Sequence, residues 1–208
     1  IEKMSLISLP PHVEEALDDP FALFADWYAG AEKAYPIFPS AMSVATADKQ
    51  GRPQNRMILL KGWDKDGFVF YTNMQSRKGE ALKDNPFAAL CFYWSLIERQ
   101  VRVEGSVTQV SNTEADAYFA TRPRISQIGA WASYQSHHLD CRETLEKRVE
   151  MLEEKYAGHE SIPRPPHWSG YCLVPEKIEF WQQGEGRLHD RFLFTRKGEG
   201  WSLARLNP

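Results

Sequence analysis

The fold is decided between residues 41 and 61, which read AMSVATADKQGRPQNRMILLK. Two apolar segments, 41–47 and 53–61, flank the turn Asp48-Lys49-Gln50-Gly51, whose final glycine is typical of a hairpin loop. Three further apolar segments follow between turns: 68–73, 87–94 and 100–110. Short segments of this kind, separated by turns, predict strands that pair antiparallel with their neighbours. The sequence therefore predicts a meander or a barrel.

Helix signals flank and interrupt the strands. Four helices are predicted from their caps and stops: Asp19-Pro20 to about Lys33, Ser76 to Asn85-Pro86, the capping box Ser111-x-x-Glu114 to Arg122, and Asp140 with Glu143 to about Tyr156. A proline-rich connector at 162–166 precedes four more predicted strands: 170–175, 177–183, 188–195 and 201–206. We expect a flexible segment at 1–18 and a single domain over 19–208.

Composition narrows the class of protein. A formal net charge of −3 argues against a nucleic-acid partner, which requires a basic surface. The longest apolar stretch, Phe87 to Trp94, is far shorter than the roughly 20 residues of a membrane helix. No basic region followed by an apolar one opens the chain, so we expect a cytoplasmic protein without a membrane partner. Cys91, Cys141 and Cys172 are interpreted as reduced, structural thiols.

Common catalytic signatures are missing from the sequence. It contains no Gly-x-Ser-x-Gly, no His-Glu-x-x-His, no Walker loop and no Gly-x-Gly-x-x-Gly. The pair His137-His138 has no carboxylate at ligand spacing, so we interpret it as surface and expect no metal site.

The placement of positive charge is more informative. Arg77 and Lys78 occupy the first turn of the helix capped by Ser76, where a cation is disfavoured by roughly 0.3 to 1 kcal/mol. A bound phosphate would compensate, since free N–H groups and two cations form a site for a dianion. The alternative is that both side chains extend into water. This feature alone leaves both interpretations open.

A second pair of cations lies on the strand before that helix. Arg56 and Lys61 are five positions apart, so a flat strand would send them to opposite faces. Either a bulge or the strand end re-aims one of them, or they serve two anions on different sides of the sheet. We favour two anions.

Tyr118, Arg122 and Ser126 form a third candidate group. They are four residues apart, so the first two share a helix face, and each can donate to a phosphate oxygen. Packing and surface roles are the alternative.

A fourth candidate group lies near the C-terminus. Arg187, His189 and Arg191 alternate with Leu188, Asp190 and Phe192, which predicts that the three basic residues line one strand face. If that face were simply solvent, Asp190 would point inward among apolar residues, which is unfavourable.

Eight segments of the chain form a recognisable set: Arg56–Lys61 (RMILLK), Phe70–Asn73 (FYTN), Ser76–Lys78 (SRK), Arg99–Gly105 (RQVRVEG), Arg122–Trp131 (RPRISQIGAW), Gln135-Ser136, Glu179–Gln182 (EFWQ) and Arg187–Arg191 (RLHDR). In this order they closely resemble pyridoxine/pyridoxamine 5'-phosphate oxidases, and the match runs from about residue 20 to the C-terminus. Each segment alone is weakly specific, and eight in register are a strong signal.

The resemblance implies a mainly β (α+β) fold. The expected architecture is an FMN-binding split β-barrel, antiparallel and Greek-key-like, with flanking helices and with C-terminal dimerisation and active-site strands. A homodimer with FMN at the subunit interface is implied. The implied reaction is oxidation of pyridoxine 5'-phosphate or pyridoxamine 5'-phosphate by O2 to pyridoxal 5'-phosphate. It releases H2O2, and NH3 from the amine.

The resemblance also assigns residues. Its FMN-binding positions, some contributed by the partner chain, match Arg56, Met57, Ile58, Leu59, Lys61, Tyr71, Thr72, Ser76, Arg77, Lys78, Gln100, Gln135, Ser136, Trp181 and Arg191. Its substrate-phosphate positions match Lys61, Tyr118, Arg122 and Ser126, while Arg187 and His189 match the catalytic positions that cover the pyridine ring. Gln100 shares a strand face with Arg102 opposite Val101 and Val103, where it either bonds a flavin edge or faces water.

One departure from the family and two alternative functions complete the expectations. Residues 1–18 contain neither the Arg nor the Tyr of an Arg-x-x-Tyr lid element that family members often carry. Another FMN split-barrel oxidase or a flavin reductase would keep Arg56 and Lys78 without needing Tyr118, Arg122 and Ser126. A non-catalytic carrier of flavin or pyridoxal phosphate would consume no oxygen.

Overall fold

The computed structural model describes residues 19–208. Its helices are α1 (Pro20–Ala34), α2 (Arg77–Asp84), α3 (Asn112–Thr121), α4 (Arg124–Ala132) and α5 (Arg142–Lys155). Its strands are β1 (Ala41–Ala47), β2 (Pro53–Leu59), β3 (Gly62–Asp64), β4 (Gly67–Asn73), β5 (Phe87–Trp94), β6 (Arg99–Gln109), β7 (Trp168–Gln182), β8 (Asp190–Lys197) and β9 (Gly200–Arg205). The expected flexibility of residues 1–18 and the missing Arg-x-x-Tyr element lie outside the described residues.

The strands form one sheet in the order β2-β1-β5-β6-β7-β4-β3, with β8 pairing β7 and β9. The predicted hairpin at 41–61 is antiparallel, with Ala41 opposite Leu59 and Ala47 opposite Pro53. Strand β1 alternates half-buried and buried residues, as expected for a strand with one face in a core. The antiparallel prediction is confirmed for this hairpin.

The described chain forms two compact units that interleave in sequence. The first contains residues 19–39, 92–103 and 176–208, and the second contains residues 40–91 and 104–175. Trp27 is fully buried in the first unit, where it meets Phe180 edge to face at 5.2 Å. In the second unit, Phe119 and Trp168 belong to a buried cluster beneath α4 and α5. The expectation of a single domain over 19–208 stays a prediction.

Three helix caps are confirmed. The Asp19 side chain accepts a hydrogen bond from the Phe21 N–H, Ser76 from the Gly79 N–H, and Ser111 from the Glu114 N–H. The cap of α5 is wrong, because Cys141 rather than Asp140 precedes its first residue and no side chain caps it. Helix α4 was not predicted. It begins directly after Pro123, which carries no capping side chain, so the sequence shows no start signal.

The C-terminal strands differ from prediction in two ways. Residues 168–182 form one strand, although a break was expected at Glu176. Pro175 lies between the stretch paired with β4, which ends at Leu173, and the stretch paired with β8, which begins at Lys177. The proline therefore lies between the stretches of β7 that pair with β4 and with β8, and neither of these two pairings needs its missing N–H. The expected strand 188–195 begins only at Asp190, because residues 185–187 form a 3-10 turn.

The expected surface location of His137 and His138 is confirmed, because both residues are exposed. The part of the chain from residue 19 onward holds no cluster of His, Cys, Asp and Glu able to bind a metal, and the expectation of no metal site stays a prediction. All three cysteines are free, as expected, but Cys141 is exposed, so its structural role stays a prediction. Burial raises the pKa of the Cys172 thiol to about 11. None of the described helices has the length and apolar character required to cross a membrane.

Candidate active site

The second unit contains a cavity of about 960 Å³, a size typical of small-molecule sites. Its walls come from β2, the end of β4, the start of α2, the end of α3, α4 and the segment after it. Fourteen predicted site residues line it: Arg56, Met57, Ile58, Leu59, Lys61, Tyr71, Thr72, Arg77, Lys78, Tyr118, Arg122, Ser126, Gln135 and Ser136. The sequence prediction therefore identified most of the wall.

The cavity is strongly positive. Five cations line it, namely Arg56, Lys61, Arg77, Lys78 and Arg122, and none of its described lining residues is Asp or Glu. The chain as a whole has a net charge of −3, so this concentration of cations is local. Unpaired like charges at close range are unfavourable unless an anion joins them. The cavity is therefore built to receive anionic groups.

Lys78 is the most deeply buried of these cations, with only 8% of its surface exposed. Its Nζ donates to Gln135 Oε1 at 2.6 Å and to Ser76 Oγ at 3.2 Å, and both acceptors are neutral. Burial, and then the nearby charge of Arg56, lower the pKa of Lys78 to about 8. A buried ammonium group with no carboxylate partner is a functional-site signal.

Ser76 is a buried partner of Lys78 and the cap of α2. It is fully buried and does not line the cavity. Its hydroxyl donates to Asn73 O at 2.6 Å and accepts from the Gly79 N–H, which caps α2. A Cβ on Gly79 would lie 2.3 Å from Met74 O, so the helix start requires glycine there. Direct FMN binding by Ser76 stays a prediction.

Arg56 and Lys61 line the same cavity, although a flat strand would separate them. Strand β2 ends at Leu59, so Lys61 lies beyond it. The alternation of side chains between the two faces of the strand therefore does not apply to Lys61. Of the alternatives left open by the sequence, the strand end is the one observed, and the favoured alternative, two anions on different sides of the sheet, is wrong for these two residues. The Arg56 guanidinium is held by Thr46 Oγ1 at 2.9 Å and Gln54 Oε1 at 3.0 Å, and burial lowers its pKa.

Arg122 lies against an aromatic stack. The rings of Tyr71 and Tyr118 are 4.0 Å apart and nearly parallel, and Trp168 is 5.2 Å from Tyr71 at 7°. The Arg122 guanidinium lies 4.8 Å from the Trp168 ring centroid, a cation–π distance. Burial lowers the pKa of Arg122, and its buried Nη1 has no hydrogen-bond partner. An orphaned guanidinium N–H beside a cavity indicates that a ligand oxygen completes the site.

Gly170 sets the position of the stack. A Cβ at this residue would lie 2.7 Å from Cδ1 of Tyr71, which is closer than real Cβ contacts. Gly170 is opposite Tyr71 in the register of β4 and β7, so the Tyr71 ring lies over its bare backbone.

The remaining predicted residues belong to the first unit. Arg191 Nε donates to Glu179 Oε1 at 2.8 Å, and Arg102 Nη1 reaches the other oxygen of the same carboxylate at 3.2 Å. The hydrogen bond to Glu179 raises the pKa of Arg191. Gln100 and Arg102 are half-buried, while Val101 and Val103 are buried, as the alternation predicted.

The predicted alternation of Arg187, His189 and Arg191 along one strand is wrong. Only Arg191 lies on β8, because Arg187 is in the preceding turn and His189 lies before the strand. Asp190 does not point into a core, since it pairs with Arg205 at 2.6 Å. Trp181 and His189 are in contact, with ring centroids 4.6 Å apart.

Several lining residues were not predicted. They are Gln54, Asn55, Asn73, Gly129, Ala130, Ser133 and Trp168. Gly129 and Ala130 lie on α4, the helix that carried no start signal. Asn73 lies inside the FYTN segment, and Gly129 and Ala130 lie inside the segment Arg122–Trp131, so the resemblance offered a signal for these three residues.

Comparisons with known proteins place the chain in a family. Residues 33–156 match the family model described as pyridoxamine 5'-phosphate oxidase, and residues 168–208 match the pyridoxine 5'-phosphate oxidase C-terminal dimerisation region. The chain belongs to the pyridoxamine 5'-phosphate oxidase family. Pyridoxine/pyridoxamine 5'-phosphate oxidase of Gluconobacter oxydans is 57% identical over 91% of this chain and 94% of its own. The protein of that name in Caulobacter vibrioides is 53% identical over 96% of this chain and 88% of its own.

Solved structures agree on the fold. PhzG from Burkholderia lata, in complex with tetrahydrophenazine-1-carboxylic acid, matches with a TM-score of 0.90 and 31% identity over 98% of this chain and 100% of that one. An FMN-binding protein related to the oxidases, from Nostoc punctiforme, has a TM-score of 0.73 at 19% identity over 91% of this chain and 98% of that one, which shows the fold alone. The predicted antiparallel split barrel with flanking helices is confirmed.

FMN is the cofactor of this family, and the cavity fits it. Lys78 and Arg77 at the N-terminus of α2 fit a phosphate dianion, because both cations line the cavity and no carboxylate is among its lining residues. The unsatisfied Nη1 of Arg122 and the aromatic stack fit a second anionic ligand. The expectation of a cofactor phosphate at this helix start is thus consistent with the donor set.

Proposed function

We propose that this protein oxidises pyridoxine 5'-phosphate or pyridoxamine 5'-phosphate to pyridoxal 5'-phosphate. The electron acceptor is FMN and then O2, with release of H2O2, and of NH3 from the amine. One observation carries the proposal. A single cavity combines five cations with no acidic lining residue, which is more positive charge than one phosphate dianion balances. Two phosphoesters, one of FMN and one of the vitamer, account for it.

The two phosphates are assigned to different cations. Arg56, Arg77 and Lys78 hold the FMN phosphate, with Lys78 kept in place by Gln135. Tyr118, Arg122 and Ser126 hold the vitamer phosphate, and Lys61, which lines the same cavity, contributes its charge to the site. The stack of Tyr71, Tyr118 and Trp168 fixes the guanidinium plane of Arg122, which favours bidentate binding of phosphate oxygens.

When bound, FMN would supply at its N5 the hydride acceptor for oxidation of the C4' carbon of the vitamer. The protein's own contribution is to position that carbon and to exclude water. Arg187 covers the ring face away from the flavin, with His189 close to it, and both act as the catalytic residues. Gln100, Trp181 and Arg191 contribute to the FMN site. These assignments rest on the family resemblance.

The active form is a homodimer. The match of residues 168–208 to a dimerisation region supports this, and it covers Trp181, Arg187, His189 and Arg191. Residues from both chains then complete each site. A cytoplasmic location, and the absence of nucleic-acid and membrane partners, stay predictions.

A second candidate is a phenazine-type oxidase, since PhzG is the structural match described above. The vitamer oxidase is favoured because curated relatives of that name are 53 to 57% identical, against 31% for PhzG. The orphaned Arg122 Nη1 also favours a substrate with an anionic group beside α3.

Anaerobic mixing of the FMN-loaded protein with pyridoxine 5'-phosphate tests the proposal. We expect the yellow flavin absorbance to bleach, and to return when O2 is admitted with H2O2 formation. Unphosphorylated pyridoxine at the same concentration is the matched control and should bleach the flavin far more slowly. A flavin carrier or a phenazine-type oxidase would stay yellow with both compounds, and that result would overturn the proposal.

A further inference from the structure

The turn before β8 holds Arg187 in a strained backbone conformation. Arg187 has a φ of +66°, and Gly186 before it has a φ of +63°. The left-handed region is unfavourable for a residue with a Cβ, and such strain persists only where surrounding contacts enforce it. The contacts that hold this backbone conformation therefore also position the Arg187 side chain.

Two hydrogen bonds close the turn. The Leu188 N–H donates to Glu185 O at 3.1 Å, and the Gly184 N–H donates to His189 Nδ1 at 3.2 Å. A Cβ on Gly184 would lie 1.9 Å from Leu188 O, so this close approach of the chain to itself needs glycine. The second bond ties the histidine ring to the turn that carries Arg187.

The direction of that second bond determines the tautomer of His189. A backbone N–H can only donate, so Nδ1 must accept through its lone pair. In a neutral imidazole whose Nδ1 accepts, the proton is on Nε2. A proton on Nδ1 would face the Gly184 N–H and remove the bond. The Trp181 ring, 4.6 Å away, contacts the imidazole as well and restricts its rotation.

We infer that the Gly184 N–H holds His189 as the neutral tautomer protonated at Nε2. The side chain then has two separate tasks. Its Nδ1 closes the turn that presents Arg187, and its Nε2–H is a hydrogen-bond donor for an acceptor atom of the bound substrate. Gly184 is therefore a positioning residue that acts through His189. The donor's target rests on the proposed function, whereas the tautomer does not.

The tautomer is measured directly by long-range 1H–15N correlation spectra of the holoenzyme labelled at its imidazole nitrogens. The chain has six histidines, and the His189 signals are identified by their loss in His189→Asn. We expect an unprotonated Nδ1 and a protonated Nε2 at neutral pH. A proton on Nδ1, with or without one on Nε2, would overturn the inference even if the flavin bleaches normally.

Two substitutions separate the two tasks. In His189→Asn the amide oxygen takes the place of Nδ1, and in His189→Gln the amide nitrogen takes the place of Nε2. We expect the Gly184 amide to exchange with solvent at the wild-type rate in His189→Asn and roughly fivefold faster in His189→Gln, the factor that one neutral hydrogen bond provides. Turnover in His189→Asn should fall because the donor is lost.

Equal exchange rates in the two variants would show that Nδ1 does not close the turn. Failure of the proposed function has a different signature, because the flavin would then stay yellow while the tautomer and the exchange rates remained as expected.

Discussion

The Nζ of Lys78 lies 2.6 Å from Oε1 of Gln135, so a buried ammonium group faces a neutral amide where a carboxylate would normally stand. Its other hydrogen-bond acceptor is the Ser76 hydroxyl. In the absence of an anion this lysine is destabilising, and with a phosphate it becomes a strong ligand.

Lys78→Met should weaken FMN binding and stabilise the protein without cofactor. Loss of one hydrogen bond to a charged group is worth about 1.5 to 3 kcal/mol, which is roughly a 10- to 150-fold increase in the FMN dissociation constant. The free energy of unfolding of the apoprotein should rise, because the buried charge is gone. Fluorescence titration and urea unfolding measure the two effects.

Lys83→Met is the matched control, since Lys83 is an exposed lysine in the last turn of the same helix. It should leave FMN affinity unchanged. A Lys78→Met apoprotein that is less stable than the wild type would contradict the account of Lys78 as an unpaired buried charge.

FMN affinity should fall as the pH rises above 8. The pKa of Lys78 is lowered to about 8 in the free protein, so above that pH binding must first return a proton to the ammonium group. The limiting slope is about tenfold in the dissociation constant per pH unit. Below a pH of about 6 the phosphate loses its second charge, so affinity should be highest between these limits.

The alkaline fall should disappear in Lys78→Met. The same pKa predicts that the wild-type apoprotein gains stability between pH 8 and the ordinary lysine range, because the unfolded chain then binds a proton that the folded chain has released. Calorimetric titration in two buffers of different ionisation heat detects the proton taken up with FMN. Equal apparent heats at pH 9 would contradict the prediction.

Arg122→Ala should raise the KM for phosphorylated vitamers by about 10- to 100-fold, as expected for the loss of a charge-assisted bond to phosphate. The kcat should change less, because the phosphate lies away from the reacting carbon. Arg122→Lys should recover little of the lost affinity for the phosphorylated substrate, since lysine cannot reproduce the planar guanidinium against Trp168. Steady-state kinetics with pyridoxine 5'-phosphate measure these effects.

Arg142→Ala is the control, because Arg142 is exposed on α5 and pairs only with Glu146 among the residues described. The prediction fails if Arg122→Ala slows unphosphorylated pyridoxine as much as its phosphate.

Arg187→Ala should lower kcat strongly while FMN stays bound, because Arg187 is proposed to cover the substrate ring and not the cofactor phosphate. The backbone of Arg187 is strained, but its side chain is exposed, so removal of the side chain should not destabilise the fold. Stopped-flow reduction and FMN absorbance after gel filtration separate the two effects. Unchanged reduction kinetics would remove Arg187 from the mechanism.

Local signals in the sequence predicted most of the fold. Asp19, Ser76 and Ser111 are capping residues whose hydrogen bonds lie within three residues, so the sequence alone reveals them. Helix α4 was missed because Pro123 offers no such bond. The break expected at Glu176 was wrong because the strand continues through Pro175, and only the pairing of β7 with β4 before the proline and with β8 after it explains why a proline fits there.

The candidate site shows the same division between local and tertiary information. The helical spacing of Tyr118 and Arg122 could be interpreted directly, and both line the cavity. The contribution of Trp168 could not be predicted from the sequence. Trp168 lies 46 residues beyond Arg122, and only the folded chain brings its ring to 4.8 Å from the Arg122 guanidinium. Arg56 and Lys61 seemed to point apart only because the end of β2 at Leu59 is set by tertiary pairing.

The packing of the site restricts position 170 to glycine. Because the Tyr71 ring rests on its bare backbone, even alanine there would displace the ring and, through the stack, Arg122. The demand for glycine therefore comes mainly from the Tyr71 ring, with the nearby Phe70 carbonyl oxygen of the same strand pair adding to it. A related protein that does not bind phosphorylated substrates would not need glycine at this position. A larger residue in place of Gly170 would therefore indicate a change of substrate class.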